Sequence, residues 1–306
     1  MAAIVVEGLC KRYGSNNAVQ GVSFEVASGE VFALLGPNGA GKTSTIEILE
    51  GFRERDAGRV EVLGYDPAQR STSRALRERL GIVLQELAVE PFLTVREVVR
   101  RQAGFYPAPR DVDEVIGLVG LTSKTDARVK TLSGGQQRRL DVGLGIVGRP
   151  DLVFLDEPTT GFDPSARRGA WELVRALRSQ GATIVLTTHY MDEAEALADR
   201  VAVLDNGQIV AQGSPASLGE RETATAHIEF RLPRGVEVAD LPVATEPAMS
   251  GDRVRIETTN EVQILQQLTK WALDTGNPLP GLTVQRLTLE DVYLRLTGGA
   301  DAAADQ

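Results

Sequence analysis

Apolar residues along this chain follow three rhythms. Val31-Phe32-Ala33-Leu34-Leu35, Leu152-Val153-Phe154-Leu155 and Thr183-Ile184-Val185-Leu186 are short runs without alternation. Such runs read as central strands of a parallel sheet, covered on both faces. Ile4-Val5-Val6 and Val22-Ser23-Phe24-Glu25-Val26 read as further strands, the second with a period of two. Gly58 to Gly64 reads as a hairpin strand, and Gly81-Ile82-Val83-Leu84-Gln85 as a strand that ends in an amide. Val201 to Leu204 and Gln208 to Ala211 flank Asp205-Asn206-Gly207, the turn chemistry of a tight hairpin. Helical spacing marks the third rhythm. Thr43 to Glu50 follows the first apolar run as a helix. Thr94-Val95-Arg96-Glu97 has the spacing of a capping box and opens a helix through Arg101. Prolines at 107 and 109 separate it from a short helix over Val112 to Leu121. Arg138 to Val147 forms another, and Asp163-Pro164 caps and starts one more. Between about residues 87 and 147 strands no longer alternate with helices, so this region reads as a helical insert.

Past Gly213-Ser214-Pro215 the pattern changes. His227 to Phe230 and Val254 to Glu257 alternate like half-buried strands, and Val262, Leu265, Leu268 and Trp271 share a helix face. Leu282-Thr283-Val284 reads as a strand, Glu290 to Leu296 as a last short helix, and Ala300 to Gln306 as a frayed end. The expected organisation is an α/β domain over residues 1–218 and a small α+β accessory or regulatory domain over 219–306. His227 carries no assigned role.

The junction of the first strand and helix carries the chemistry. Gly36-Pro37-Asn38-Gly39-Ala40-Gly41-Lys42-Thr43 fits G-x-x-x-x-G-K-[ST] between strand and helix. Glycines let backbone N–H groups curl around phosphate oxygens, and the helix N-terminus adds donors and partial positive charge. Lys42 is expected to reach the β- and γ-phosphates, the Thr43 hydroxyl to ligate Mg²⁺, and Ser44 to lie beside them. Leu152 to Leu155 ends in Asp156 and Glu157. A strand-end Asp156 suits Mg²⁺, and the adjacent Glu157 suits polarisation of an attacking water. Leu132-Ser133-Gly134-Gly135-Gln136 begins another helix with exposed backbone donors. With one phosphate group already held, this second anion-binding end points to another nucleotide or to one shared between two chains. His189 and Gln85 both stand at carboxyl ends of strands, where ligands bind in open α/β sheets. Tyr13, upstream of the phosphate loop, can stack on a purine.

Composition narrows the partners. Lys and Arg number 33 against 42 Asp and Glu, a formal net charge of −9 that speaks against a nucleic-acid partner. A single cysteine, Cys10, excludes an intrachain disulfide and fits a reducing compartment. Glu7 breaks the N-terminal apolar run, which is no signal peptide, and runs such as Val142 to Val147 are too short to span a bilayer.

The phosphate loop, Leu132-Ser133-Gly134-Gly135-Gln136, Asp156-Glu157 and His189, in this order, resemble the ATP-binding cassette (ABC) ATPases over roughly residues 3–215. The resemblance implies a RecA-like P-loop core with an antiparallel β subdomain and the helical insert. It gives Tyr13 the adenine-stacking role, Gln85 the Q-loop with a place near the metal, Asp163 the D-loop and His189 the switch histidine. Phe162 stands where the family usually has Leu. Leu289 to Gly298 is similar to the ending of exporter ATPases of the daunorubicin-resistance type. The implied protein binds ATP and Mg²⁺, forms a head-to-tail homodimer and powers a separate integral membrane permease. It would sit at the cytoplasmic face of the cell membrane and export a drug, antibiotic, lipid or similar hydrophobic compound. The alternative is an ABC ATPase that remodels nucleic acid or ribosomes, for which paired cassettes, a long coiled coil or a basic arm would be expected. A guanine-nucleotide enzyme is the other rival. Ser123-Lys124-Thr125-Asp126 mimics its base-reading motif, but D-x-x-G does not occur.

Overall fold

In the computed structural model, residues 1–83, 89–218, 226–233, 235–243, 247–285 and 289–296 are described. Chain contacts separate two units, Met1–Pro215 and Ala216–Gln306, against a sequence boundary at 218.

The first unit begins β1 (Ala2–Tyr13), β2 (Asn16–Ala27), β3 (Val31–Leu35), α1 (Lys42–Leu49), β4 (Ala57–Val62), α2 (Ser73–Arg77) and β5 (Leu80–Val83). It continues α3 (Val95–Ala103), α4 (Val112–Leu118), α5 (Gly134–Ile146), β6 (Leu152–Asp156) and α6 (Pro164–Ser179). Then come β7 (Thr183–Thr188), α7 (Met191–Leu197), β8 (Arg200–Asp205) and β9 (Gln208–Gly213).

The unalternating runs become the middle of a six-stranded sheet, order β5-β6-β7-β3-β8-β9, parallel except for β9. Every residue of β3 is buried, as a strand covered on both faces requires. The period-two strand β2 joins an antiparallel sheet of order β2-β1-β4. β4 thus pairs with β1. Buried side chains of both sheets form one core, in which the rings of Phe24 and Phe32 stack 5.1 Å apart. At the β8–β9 hairpin, Asn206 (φ 46°) and Gly207 (φ 78°) both take the left-handed conformation that a type I′ turn needs.

The helical insert holds α3, α4 and α5. Thr94 caps α3 through the full capping box with Glu97. α4 ends at Leu118, earlier than the apolar spacing implies, because Gly120 turns left-handed (φ 65°). None of the described helices is long and apolar enough to cross a membrane.

The second unit comprises β10 (Ala226–Arg231), β11 (Ala248–Ser250), β12 (Arg253–Thr258), α8 (Glu261–Thr275), β13 (Thr283–Gln285) and α9 (Leu289–Leu296). Its strands form an antiparallel sheet of order β11-β12-β10-β13. Ile228, Phe230, Val254 and Ile256 pack with Ile264 and Leu268 of α8. Val262, expected on that face, is exposed. It lies two residues, about 200° of helix turn, from Ile264, so it faces nearly opposite that buried residue.

Candidate active site

β3 delivers the chain to a loop that only glycine can build. A side chain at Gly36 would place its Cβ 2.3 Å from the Leu204 carbonyl oxygen, and one at Gly41 would lie 2.2 Å from that of Ala18. Gly39 and Gly41 also hold positive φ, 84° and 102°. Gly36 and Ala40 are buried, whereas Pro37, Asn38 and Gly39 face solvent, so the loop presents its crest outward. Lys42 opens α1 and is 5% exposed. Its ammonium donates to the carbonyls of Gly36 (2.7 Å) and Pro37 (3.1 Å). Burial lowers its pKa, against the opposing pull of Glu157 and Asp156. Thr43 is exposed and Ser44 half-buried at the same helix end. Tyr13 lies beside them, its hydroxyl 3.2 Å from Ser44 Oγ, with the Arg53 guanidinium 5.1 Å from its ring centre. The aromatic and the phosphate loop are thus one surface.

β6 ends at Asp156, and Glu157 follows with φ 44°. That left-handed turn, uncommon for a non-glycine residue, takes Glu157 out of the strand's alternation. Its Oε1 lies 3.8 Å from Lys42 Nζ and 3.4 Å from His189 Nδ1. Its Oε2 accepts from the Thr160 hydroxyl at 3.1 Å. His189 follows β7, and its Nδ1 makes no hydrogen bond among the described residues. Three residues from distant parts of the sequence therefore meet, because β3, β6 and β7 are adjacent parallel strands ending on the same side.

The Ser133–Gln136 stretch forms the start of α5. Ser133 Oγ accepts from the Gln136 N–H at 3.3 Å, and Gln136 Oε1 accepts from the Ser133 N–H at 3.0 Å. Gln136 is therefore committed to the cap. Ser133, Gly134 and Gly135 line an open cleft of about 510 Å³ with Gly161, Phe162 and Asp163. No phosphate-loop residue lines it. Gln85 lies outside the described residues.

Two contributors escaped the sequence reading. Arg138, half-buried in α5, donates to the carbonyls of Asp156 (2.8 Å) and Pro158 (3.3 Å) and pairs with Asp141 at 3.0 Å. Thr187, buried in β7, donates to Asp156 Oδ1 and accepts from the Glu157 N–H. A hydroxyl directly after the apolar Ile184-Val185-Leu186 run was the available signal for Thr187. No group of three or more His, Cys, Asp or Glu with metal-holding placement occurs among the described residues. A hydroxyl and a carboxylate, Thr43 and Asp156, are hard oxygen donors of the kind Mg²⁺ takes beside substrate phosphates.

Residues 19–160 match the family described as ABC transporter, and 226–288 match the C-terminal domain described as ABC transporter domain-containing protein-like. The Nod factor export ATP-binding protein I of Rhizobium sp. (strain N33) is 41% identical, with 97% of each chain covered. The chain belongs to the ABC transporter ATPases. Daunorubicin resistance ATP-binding protein DrrA2 of Streptomyces coeruleorubidus is 37% identical to this cassette over 97% of it and 96% of the relative. Among solved structures, cbiO1 of Clostridium perfringens, part of the ABC transporter complex cbiONQ, shares 29% identity at a TM-score of 0.66. It covers 72% of this chain and 92% of its own. The dimeric cassette MJ0796 shares the fold at a TM-score of 0.62 and 21% identity, covering 69% of this chain and 98% of its own. The core is accordingly a RecA-like P-loop fold, and the cassette an ATPase.

Proposed function

We propose that this cassette hydrolyses ATP to drive export through a separate membrane permease, working as a head-to-tail pair. The observation carrying the chemistry is the meeting of Lys42, Glu157 and His189 beside the phosphate loop. Exporter names among relatives that match nearly the whole chain support the transport direction. The cargo class is a drug, lipid-like or other hydrophobic compound. The cassette itself then works at the cytoplasmic face of the membrane, held by the permease. Neither the acidic charge nor those relatives favours a nucleic-acid partner.

Lys42 exchanges the carbonyls of Gly36 and Pro37 for the β- and γ-phosphates, a charge-assisted contact stronger than the ones it leaves. Tyr13 stacks on the adenine. Ser44 and the backbone donors of the loop hold the phosphate oxygens. Thr43 and Asp156 are the residues that would hold Mg²⁺, with Gln85 as the further candidate. When bound, Mg²⁺ would neutralise the negative charge of the phosphates. Glu157 takes the proton of the attacking water, and His189 steadies Glu157 and the γ-phosphate end. Ser133, Gly134 and Gly135 face the partner's ATP, with Gln136 fixing their helix end and Asp163 the adjacent loop. The Ala216–Gln306 unit regulates or stabilises the pair, since the phosphate-handling residues all precede it.

Reconstitution in vesicles with a candidate partner permease tests this reading. Lys42→Ala should abolish ATP turnover and transport together. Parental turnover in that variant would refute the site, and ATP-independent transport would refute the coupling.

A further inference from the structure

We infer that Thr187 is a positioning residue for hydrolysis, its hydroxyl fixing both the Asp156 carboxylate and the Glu157 backbone. The inference rests on the roles proposed above for these two acids. Thr183, Ile184, Val185 and Leu186 are buried strand residues, and Thr187 continues the strand at 0% exposure. At such a site valine would fill the same volume and suit a strand equally well. A hydroxyl taken out of water needs partners. Thr187 has two. The parallel register sets it directly beside Asp156. Its single hydrogen goes to Asp156 Oδ1, so its lone pairs are left to accept the Glu157 N–H at 3.0 Å. The polarity of the pair of bonds is therefore fixed by the chemistry of one oxygen.

The consequence lies in what those bonds hold. Glu157 sits at φ 44°, a conformation a non-glycine residue keeps only when its surroundings determine it. The Glu157 N–H also reaches the Thr187 carbonyl at 3.2 Å. One bond alone leaves that peptide free to rock, whereas the pair pins it. This peptide aims the Glu157 carboxylate at Lys42 and His189. With Asp156 Oδ1 engaged by Thr187, the orientation of the carboxylate that would hold a cation is set by this bond. A misplacement of about 1 Å at a reacting group can cost on the order of a hundredfold in rate.

The test compares Thr187→Val with Thr187→Ser, measuring kcat, the KM for ATP and the Mg²⁺ concentration for half-maximal turnover. Thr187→Val should lower kcat by about 10- to 100-fold with the ATP KM moved less than about threefold, and should need more Mg²⁺. Thr187→Ser keeps the hydroxyl and should restore kcat to within about threefold of the parent. An unchanged kcat in Thr187→Val, or a loss that Thr187→Ser fails to restore, overturns the inference. Should Thr187→Val fail to fold, Thr187→Ala makes the same comparison. Glu157→Gln assayed alongside separates the two levels. Full turnover there overturns the role of Glu157 itself, while its loss beside an unaffected Thr187→Val overturns only the role of the hydroxyl.

Discussion

Glu50 is the residue at which the phosphate-loop helix meets an electrostatic penalty. It caps α1 at its C-terminal end and is 4% exposed. Burial first, then the charges of Asp156 and Glu47, pushes its pKa from 4.5 up to about 8. The folded chain therefore holds a proton that the unfolded chain releases near pH 4.5. Stability drawn from this group is fully present below that pH and falls as pH rises toward 8. At pH 7 the loss is on the order of 3 kcal/mol, from a shift of 1.36 kcal/mol per pKa unit. Glu50→Gln keeps the shape of the neutral acid without a proton to lose. Its thermal midpoint should exceed the parent's at pH 8 and match it at pH 4.5. An advantage independent of pH would show that packing, rather than ionisation, is responsible.

At the scale of elements, Arg138 is the strut between α5 and the end of β6. It is largely buried, pairs with Asp141 and donates to two carbonyls beside the Asp156–Glu157 turn. Burial pulls the Arg138 pKa down and pushes that of Asp141 up to about 7. Removing one member of a buried pair leaves an uncompensated charge and typically costs about 3–5 kcal/mol. Arg138→Met should reach that range in urea unfolding at pH 8, where Asp141 is ionised. Arg138→Met with Asp141→Leu should recover much of it. Additive losses in the double variant would disprove the pairing energy. Elements of this kind also mark what the chain discloses in advance. The β3, β6 and β7 runs were legible because strands covered on both faces have unbroken apolar sequence. The Thr94 and Ser133 caps were legible because a capping box is local chemistry. Glycines at 36, 39 and 41 announced the loop for the same reason. What stayed hidden depends on register. Nothing near Thr187 in sequence says that Asp156 lies opposite, and no local rule places Glu157 at a positive φ. Arg138 reads as an ordinary helix residue until β6 is known to pass behind it. Met191–Leu197 and Ala248–Ser250 were too short for periodicity to register.

The whole molecule, as a single chain, keeps the phosphate-loop residues and the Ser133–Gly135 turn out of any common cleft. Lys42, Glu157 and His189 meet at the phosphate loop, while Ser133–Gly135 and Asp163 border a separate open cleft. Backbone donors at a helix start, with no phosphate-loop residue of their own chain lining the cleft, would suit a phosphate brought by a second copy. Glu157→Gln offers the means of catching such a pair. It preserves shape but removes the basic carboxylate, and loss of general-base help costs roughly 10²–10⁴-fold in rate while binding persists. ATP with Mg²⁺ should then shift this variant from monomer to dimer in sedimentation or light scattering. Adding Ser133→Arg should block the shift by filling the cleft with a long side chain, and each copy should still bind ATP. Removing residues 219–306 should weaken the pairing without abolishing ATP binding. A Glu157→Gln protein that binds ATP yet stays monomeric, both alone and with its permease, would sink the shared site. Pairing that survives Ser133→Arg would place the interface elsewhere on the molecule.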